Sequence, residues 1–376
     1  MNITFLTSGH LPYDDRIYYH MALSLIGKGN SVEIVSSKSN VITITDGIKL
    51  NCFDDESLSK REKIKQFTER LSESVPEIII CSEPLTILSA KQYSKGRSGK
   101  IKIIYDITEW YPSGKNLISK KIPFKWFTFL KLLLFNFWVA RYAESFIFGE
   151  WYKSRPYRIL YPFKPYAYIS YYPDLKYISH IKTELSSSNL KLSYSGKISL
   201  DKGYGNFFRV LNKLTEVKRD LKIDVKIIGW YDTSRDKKDC EKLFEYCSRS
   251  ISLEVFGKQS YKNFLEHIKD TDIFLDLRSD NLENKHCLPI KLFYYAALGR
   301  PVIFSDLRAI RKEVEIKKFG SLVDPADING IVKIILNYLE DRELYQKHCE
   351  NARYLAESRY NWQMIESQFI RFITSD

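Results

Sequence analysis

The sequence predicts an α/β protein of two domains. Three observations carry this. Short apolar runs recur along the chain, each followed by a turn and then by a stretch of helical spacing. A chain of 376 residues can bury one large core or, more commonly, two ordinary ones. The stretch Leu288–Asp306 then compresses the pattern into a loop, a helix and a strand. Pro289 suits a first helical turn, where its missing N–H costs nothing, and Leu292, Tyr295, Ala296 and Leu298 keep a helical period. Gly299 stands where a left-handed cap is wanted, Pro301 stops the helix, and Val302-Ile303-Phe304 reads as a buried parallel strand. A helix start at a sheet edge offers unpaired N–H groups to a phosphate, and Lys291 adds a full charge there.

Composition narrows the partners without choosing one. The net charge of +12 calls for something anionic: nucleic acid, acidic lipid headgroups or a phosphorylated substrate. Only the charge favours nucleic acid, so no nucleic-acid partner is expected. The six cysteines form no C-x-x-C pair, so neither zinc spacing nor a disulfide framework is present, and a reducing cytoplasm is the simplest setting. Asn2–Leu6 runs directly into a strand-like segment rather than a charged leader, so no signal peptide is expected.

In the first domain, expected at 1–170, Ile3–Leu6 is a strand, Thr7-Ser8-Gly9-His10 its turn, and Ile17, Met21, Ala22 and Leu25 one face of a helix that Gly29 ends. Ser31–Val35 is the second strand. The turn lacks G-x-G-x-x-G, which disfavours a nicotinamide cofactor, but it lies where open α/β sheets place ligands. Asp54–Glu73 reads as a surface helix; Pro76–Cys81, Ile101–Tyr105 and Ser145–Phe148 read as strands. Lys120–Arg141 is basic at its ends and aromatic-aliphatic between, too short and too interrupted by Lys131 and Asn136 to span a bilayer. It suits a helix lying on an anionic membrane surface, and equally a core helix with a solvated lysine.

The second domain, expected at 171–356, opens with the strand Leu190–Ser195 and the turn Gly196-Lys197-Ile-Ser-Leu-Asp-Lys202-Gly203 before a helix over about 206–217. Glycines at such a turn let a ligand approach the backbone, and two lysines can neutralise a pyrophosphate. Strands follow at Asp224–Gly229, Ile251–Gly257 and Thr271–Leu277, with a polar loop over 278–287. Asp327 suits the cap of a helix bearing Ile331, Ile334, Ile335, Tyr338 and Leu339. Trp362, Ile365, Phe369 and Phe372 mark the apolar face of a final helix within 357–376.

In order and spacing these stretches resemble family 4 glycosyltransferases, which have the two-domain GT-B fold. The resemblance rests on Ser8-Gly9-His10 with Asp15-Arg16-Ile17, on Tyr105-Asp106 with Glu109, Tyr111 and Pro112, on Tyr172-Pro173-Asp174-Leu175, on Gly196-Lys197 with Lys202-Gly203, on Pro289, Lys291, Tyr295, Ala297, Gly299 and Pro301, and on Gly320–Asp327. It implies two Rossmann-like domains, the first for the acceptor and the second for a nucleotide sugar, with the C-terminal helix at 357–376 returning to pack on the first. It also implies a retaining transfer to a lipid-linked or growing glycan, as in capsule, O-antigen or exopolysaccharide assembly. Lys197 and Lys202 would stabilise the leaving diphosphate, with Thr108 and Glu109 at the acceptor side. Gly9, Asp15, Arg16, Gly196, Gly257, Leu288, Pro289, Lys291 and Tyr294 would line the binding sites. No cofactor and no metal are implied, the nucleotide sugar being a substrate. The chain departs from the pattern at His286 and Tyr294, where the family carries glutamates, and at Thr108, where it often carries His. Those departures motivate an alternative, a protein of this fold acting as a binding or scaffolding partner in glycan assembly.

Overall fold

The structure, a computed structural model, describes residues 1–97, 99–109, 124–180, 184–244 and 250–375. Tyr111, Pro112 and residues 120–123 of the segments above lie outside the described residues. Two compact units emerge, Met1–Tyr171 with Ile365–Asp376, and Tyr172–Met364.

The first unit is built on eight strands: β1 (Asn2–Thr7), β2 (Ser31–Ser36), β3 (Ile42–Thr45), β4 (Ile48–Asn51), β5 (Ile78–Cys81), β6 (Lys102–Ile107), β7 (Ser145–Phe148) and β8 (Tyr166–Tyr168). Their order is β3-β4-β2-β1-β5-β6-β7-β8, parallel except for the β3–β4 hairpin. That hairpin turns on Asp46 and Gly47, both at positive φ, as a two-residue turn between twisted strands requires. A helix runs from Asp15 to Ile26, π-type over Asp15–Ala22 and continuing as α1 (Leu23–Ile26). α2 (Lys60–Ser74), α3 (Pro84–Ser94), α4 (Phe124–Ala140) and α5 (Trp151–Leu160) follow. Phe67 and Leu71 of α2, Ile87 and Ala90 of α3, Val139 and Ala140 of α4 and Tyr157 of α5 share one core with Leu6, Val35, Ile79, Ile103 and Phe146 of the strands.

α4 is amphipathic in an unusual sense. Its C-terminal half docks through Val139, Ala140 and Asn136, whose amide accepts from the Tyr105 hydroxyl at 2.9 Å and donates to the Tyr157 hydroxyl at 2.6 Å. Asn136, an interruption in the apolar run, is therefore the anchor. Trp126 and Phe127 are 70% and 72% exposed, and Phe124, Leu130, Leu134 and Trp138 are exposed with them. Among the described residues no helix is long and apolar enough to cross a membrane.

The second unit is a six-stranded parallel sheet of β9 (Asn189–Lys197), β10 (Lys222–Trp230), β11 (Ile251–Phe256), β12 (Ile273–Asp276), β13 (Val302–Ser305) and β14 (Gly320–Val323). Its order, β11-β10-β9-β12-β13-β14, is that of a doubly wound sheet whose direction of winding reverses between β9 and β12. Helices α6 (Tyr204–Val217), α7 (Ser234–Phe244), α8 (Tyr261–Ile268), α9 (Leu282–Lys285), α10 (Lys291–Ala297), α11 (Arg308–Glu313), α12 (Ile328–Glu340) and α13 (Arg342–Ser358) complete it. Leu192, Val225, Ile227 and Ile273 pack against Phe207, Leu211, Ile331 and Ile335 on one face. On the other, the Tyr295 ring of α10 stacks on Phe274 of β12, 3.7 Å between centroids. Gly299 takes φ +67 after α10, the left-handed cap its position predicted. The last helix, α14 (Trp362–Thr374), begins in this unit and continues in the first, where Glu366 accepts from the Ser24 hydroxyl at 2.5 Å.

Candidate functional site

The reversal between β9 and β12 opens a crevice at the carboxyl ends of the second sheet, and cations converge there. Gly196, the penultimate residue of β9, takes φ +99, and a Cβ at that position would lie 2.9 Å from the Lys291 ammonium. Gly203 takes φ +86, and a Cβ there would overlap the Leu277 backbone. These two positions need glycine so that the β9 turn can close over the end of β12. Lys291, at the start of α10, donates to the Ser195 carbonyl, and Lys202 donates to Asn284 Oδ1 at 2.7 Å. Lys197 stands nearer solvent, 2.7 Å from Asp232. At the floor, Arg278 grips Asp276 through two parallel bonds, Nε to Oδ1 at 2.6 Å and Nη2 to Oδ2.

The electrostatics follow from burial. Desolvation opposes the Asp276 charge, but Arg278, Lys291 and Lys202 hold its carboxyl below the usual range. Burial pushes Lys291 down to about 8; Asp276 pulls it back up, while Arg278 and Lys202 push it further down. Three cations against one carboxylate leave the crevice positive and suited to a polyanion. Asp276 and Arg278 were not anticipated as site residues. Their signal was an Asp and an Arg closing an apolar strand at a sheet's carboxyl edge.

Beside it, the ends of β9, β10 and β11 enclose a cleft of about 510 Å³ lined by Ile198, Trp230, Tyr231, Asp232, Gly257 and Lys258. A Cβ at Gly257 would meet nothing within 4 Å. The Trp230 indole N–H donates to Asp232 at 3.1 Å. Leu288 is buried, Pro289 accepts from the Leu292 N–H at 3.2 Å as the turn into α10, and His286 closes α9. Tyr294 is built into packing: its ring is buried against Tyr261 and Phe264.

The first unit gathers a different set at the carboxyl ends of β1, β5 and β6. Asp14, not Asp15, caps the first helix, accepting from the Arg16 and Ile17 N–H groups. Arg16 is buried and paired with Asp106, Nε and Nη2 each 2.9 Å from a carboxylate oxygen, with its guanidinium 4.6 Å from the Tyr171 ring centre. Its charge therefore fixes β6 to the helix start. Thr108 is buried, and its carbonyl accepts from the Tyr171 hydroxyl at 2.7 Å and from Lys153, itself paired with buried Glu150 at 2.8 Å. Glu109 next to it is exposed. Gly9 sits over Glu83, whose carboxylate accepts from the Ser8 N–H and the Thr7 hydroxyl at 2.7 and 2.9 Å. Among the described residues no group of three His, Cys, Asp or Glu side chains is placed to hold a metal ion.

Residues 178–355 match the family described as glycosyl transferases group 1. The chain has the GT-B fold. Sucrose-phosphate synthase from Thermosynechococcus elongatus is similar over 98% of this chain and 97% of that one, at TM-score 0.77 and 14% identity. HepE from Anabaena, in complex with UDP-glucose, aligns over 100% and 99% at TM-score 0.72 and 13% identity. WaaG, a glycosyltransferase involved in lipopolysaccharide biosynthesis, aligns over the whole of both chains at TM-score 0.71 and 15% identity. No curated protein sequence matches the chain.

Of the residues singled out in the sequence, Gly196, Lys202 and Lys291 come together around Asp276, with Lys197 at the mouth. Gly257 lines the adjacent cleft. Gly9, Asp15, Arg16, Thr108 and Glu109 belong to the first unit.

Proposed function

We propose that the second unit binds a nucleoside-diphosphate sugar. The diphosphate would lie against Lys197, Lys202, Arg278 and Lys291, and the nucleoside in the cleft by Gly257. The observation that carries this is the cluster of cations around Asp276, Arg278 buried and Lys202 and Lys291 half-buried, beside glycines at positive φ. In glycosyl transfer the leaving diphosphate gathers negative charge as the sugar's C1–O bond breaks. Fixed cations in a desolvated crevice stabilise that charge without reorganising, so electrostatics supply most of the rate enhancement. Lys202 and Arg278 are held by neutral Asn284 and by Asp276, so both are oriented before a donor arrives. The HepE complex, which holds UDP-glucose, is in keeping with this reading.

The transfer is retaining and its acceptor a lipid-linked or growing glycan bound by the first unit, as in bacterial surface polysaccharide assembly on the cytoplasmic face. The exposed Trp126, Phe127 and Leu130, with Lys125 and Lys131 on the same helix and Arg141 just after it, support a stay at an anionic membrane surface.

Calorimetric titration with a panel of nucleotides and nucleotide sugars tests the donor site, alongside a Lys197→Ala/Lys202→Ala variant. One donor should bind and the variant should lose it. Silence toward every donor in a folded protein would return weight to a scaffolding role. Salt-sensitive association with anionic liposomes, lost in Trp126→Glu/Phe127→Glu, tests the membrane face.

A further inference from the structure

His10 and Glu83 face each other at the carboxyl ends of β1 and β5, where the first sheet reverses its winding, and the contact between them is incomplete. His10 Nδ1 lies 2.9 Å from Asp14 Oδ2, and His10 Nε2 lies 3.8 Å from Glu83 Oε1. The first is a hydrogen bond and the second is too long for one. Both side chains are held in place. Glu83 accepts from the Thr7 hydroxyl and the Ser8 N–H; the His10 N–H donates to the Thr7 hydroxyl at 3.0 Å, and its carbonyl accepts from the Ser36 hydroxyl at 2.6 Å. A Cβ at Gly9 would lie 2.7 Å from Glu83 Oε1, so the turn admits the carboxylate only because residue 9 is glycine. The imidazole and the carboxylate are about a quarter exposed, so a ligand can reach them. Burial opposes the His10 charge, but Asp14, Glu83 and Glu109 together raise it to about 10, so both ring nitrogens carry protons at neutral pH. Burial raises Glu83 and His10 opposes that rise.

A preset N–H donor and a preset carboxylate acceptor, too far apart to satisfy each other, select a group that accepts and donates at once. A hydroxyl does both, whereas a phosphate only accepts and an ammonium only donates. We propose that His10 and Glu83 form a hydroxyl-binding pair for a sugar ring, His10 Nε2–H donating to the hydroxyl oxygen and that hydroxyl donating to Glu83. This deepens the reading of the chain as a sugar-transferring enzyme and rests on it, since the pair would hold the acceptor glycan.

The experiment observes the His10 ring directly. Two-bond proton–nitrogen correlation spectra of the full chain are recorded while methyl glycosides of glucose, galactose and N-acetylglucosamine are added singly, and nucleoside diphosphate is titrated separately. At least one glycoside should shift the His10 ring signals saturably. Glu83→Gln should weaken that binding about tenfold or more, because a charge-assisted bond is lost. His10→Gln should weaken it comparably, read by calorimetry, and keeps the measurement possible where Glu83→Gln fails to fold. No shift with any of the glycosides, unchanged binding in either folded variant, or a response of His10 to the diphosphate alone would overturn the pair. Diphosphate binding in the same samples separates the two readings: if it persists while every glycoside is silent, only the pair fails.

Discussion

The carboxyl ends of the two sheets invite comparison, because both lie where a parallel sheet reverses its winding and both hold a buried, bidentate Arg–Asp pair. In the second unit Arg278 on Asp276 is surrounded by Lys202 and Lys291, and the crevice is positive. In the first, Arg16 on Asp106 has Glu83, Asp14 and His10 along the same edge, and acids outnumber cations. One topology therefore presents opposite fields. The lesson is that winding places a crevice, while a few side chains at strand ends decide what enters it.

The comparison can be broken by removing one arginine at a time. Arg16→Leu leaves Asp106 buried without its cation, and should cost about 3–5 kcal/mol, seen as an early denaturant midpoint. Arg278→Leu should cost less stability, because Lys202 and Lys291 still face Asp276, yet should lower nucleoside-diphosphate affinity as well. Equal stability losses in the two variants would show that the neighbouring lysines give Asp276 no compensation. Lys202→Ala removes one charge-assisted contact and should weaken nucleoside-diphosphate binding by about 1.5–3 kcal/mol with little change in stability, measured by calorimetry.

The smallest effect sharpens the comparison through pH. Lys291 titrates near 8 when folded and near 10.5 when unfolded, so it is the folded state that holds fewer protons between those values. Stability from this group rises with pH across that window, whereas the positive charge offered to a diphosphate is lost as pH passes 8. Diphosphate affinity should therefore decline above pH 8 while this group's contribution to stability increases. A decline that survives in Lys291→Met would assign the pH effect elsewhere.

Much of the scaffold was legible in the sequence. The strand at 145–148 falls where its apolar run placed it, the strand after Leu190 is longer by a residue or two at each end, and Gly299 caps its helix at positive φ. The β3–β4 hairpin went unread although Asp46-Gly47 announced it, because its strands are short and its outer one exposes Ile42 and Ile44. α5 was unreadable because Pro156 interrupts it and its apolar residues keep no clean period. In the site, Lys202 was legible as a charge on a glycine-bearing turn and Lys291 as a charge at a helix start. Arg278 was not: its place after an apolar strand marks the sheet's edge, but that alone does not tell an arginine that grips a buried carboxylate from one in a solvated loop.

What the sequence determined by itself is the alternation of apolar strands with helices, the glycine positions and the surplus of positive charge, because these follow from periodicity and backbone sterics within a few residues. Only the tertiary structure decided which charges are buried together. It paired Arg16 with Asp106 across ninety positions of chain and set His10 opposite Glu83. It also turned Tyr294 into core and Asn136 into an anchor. The physical reason is that desolvation and close pairing depend on neighbours brought from distant strands, and no local pattern records them.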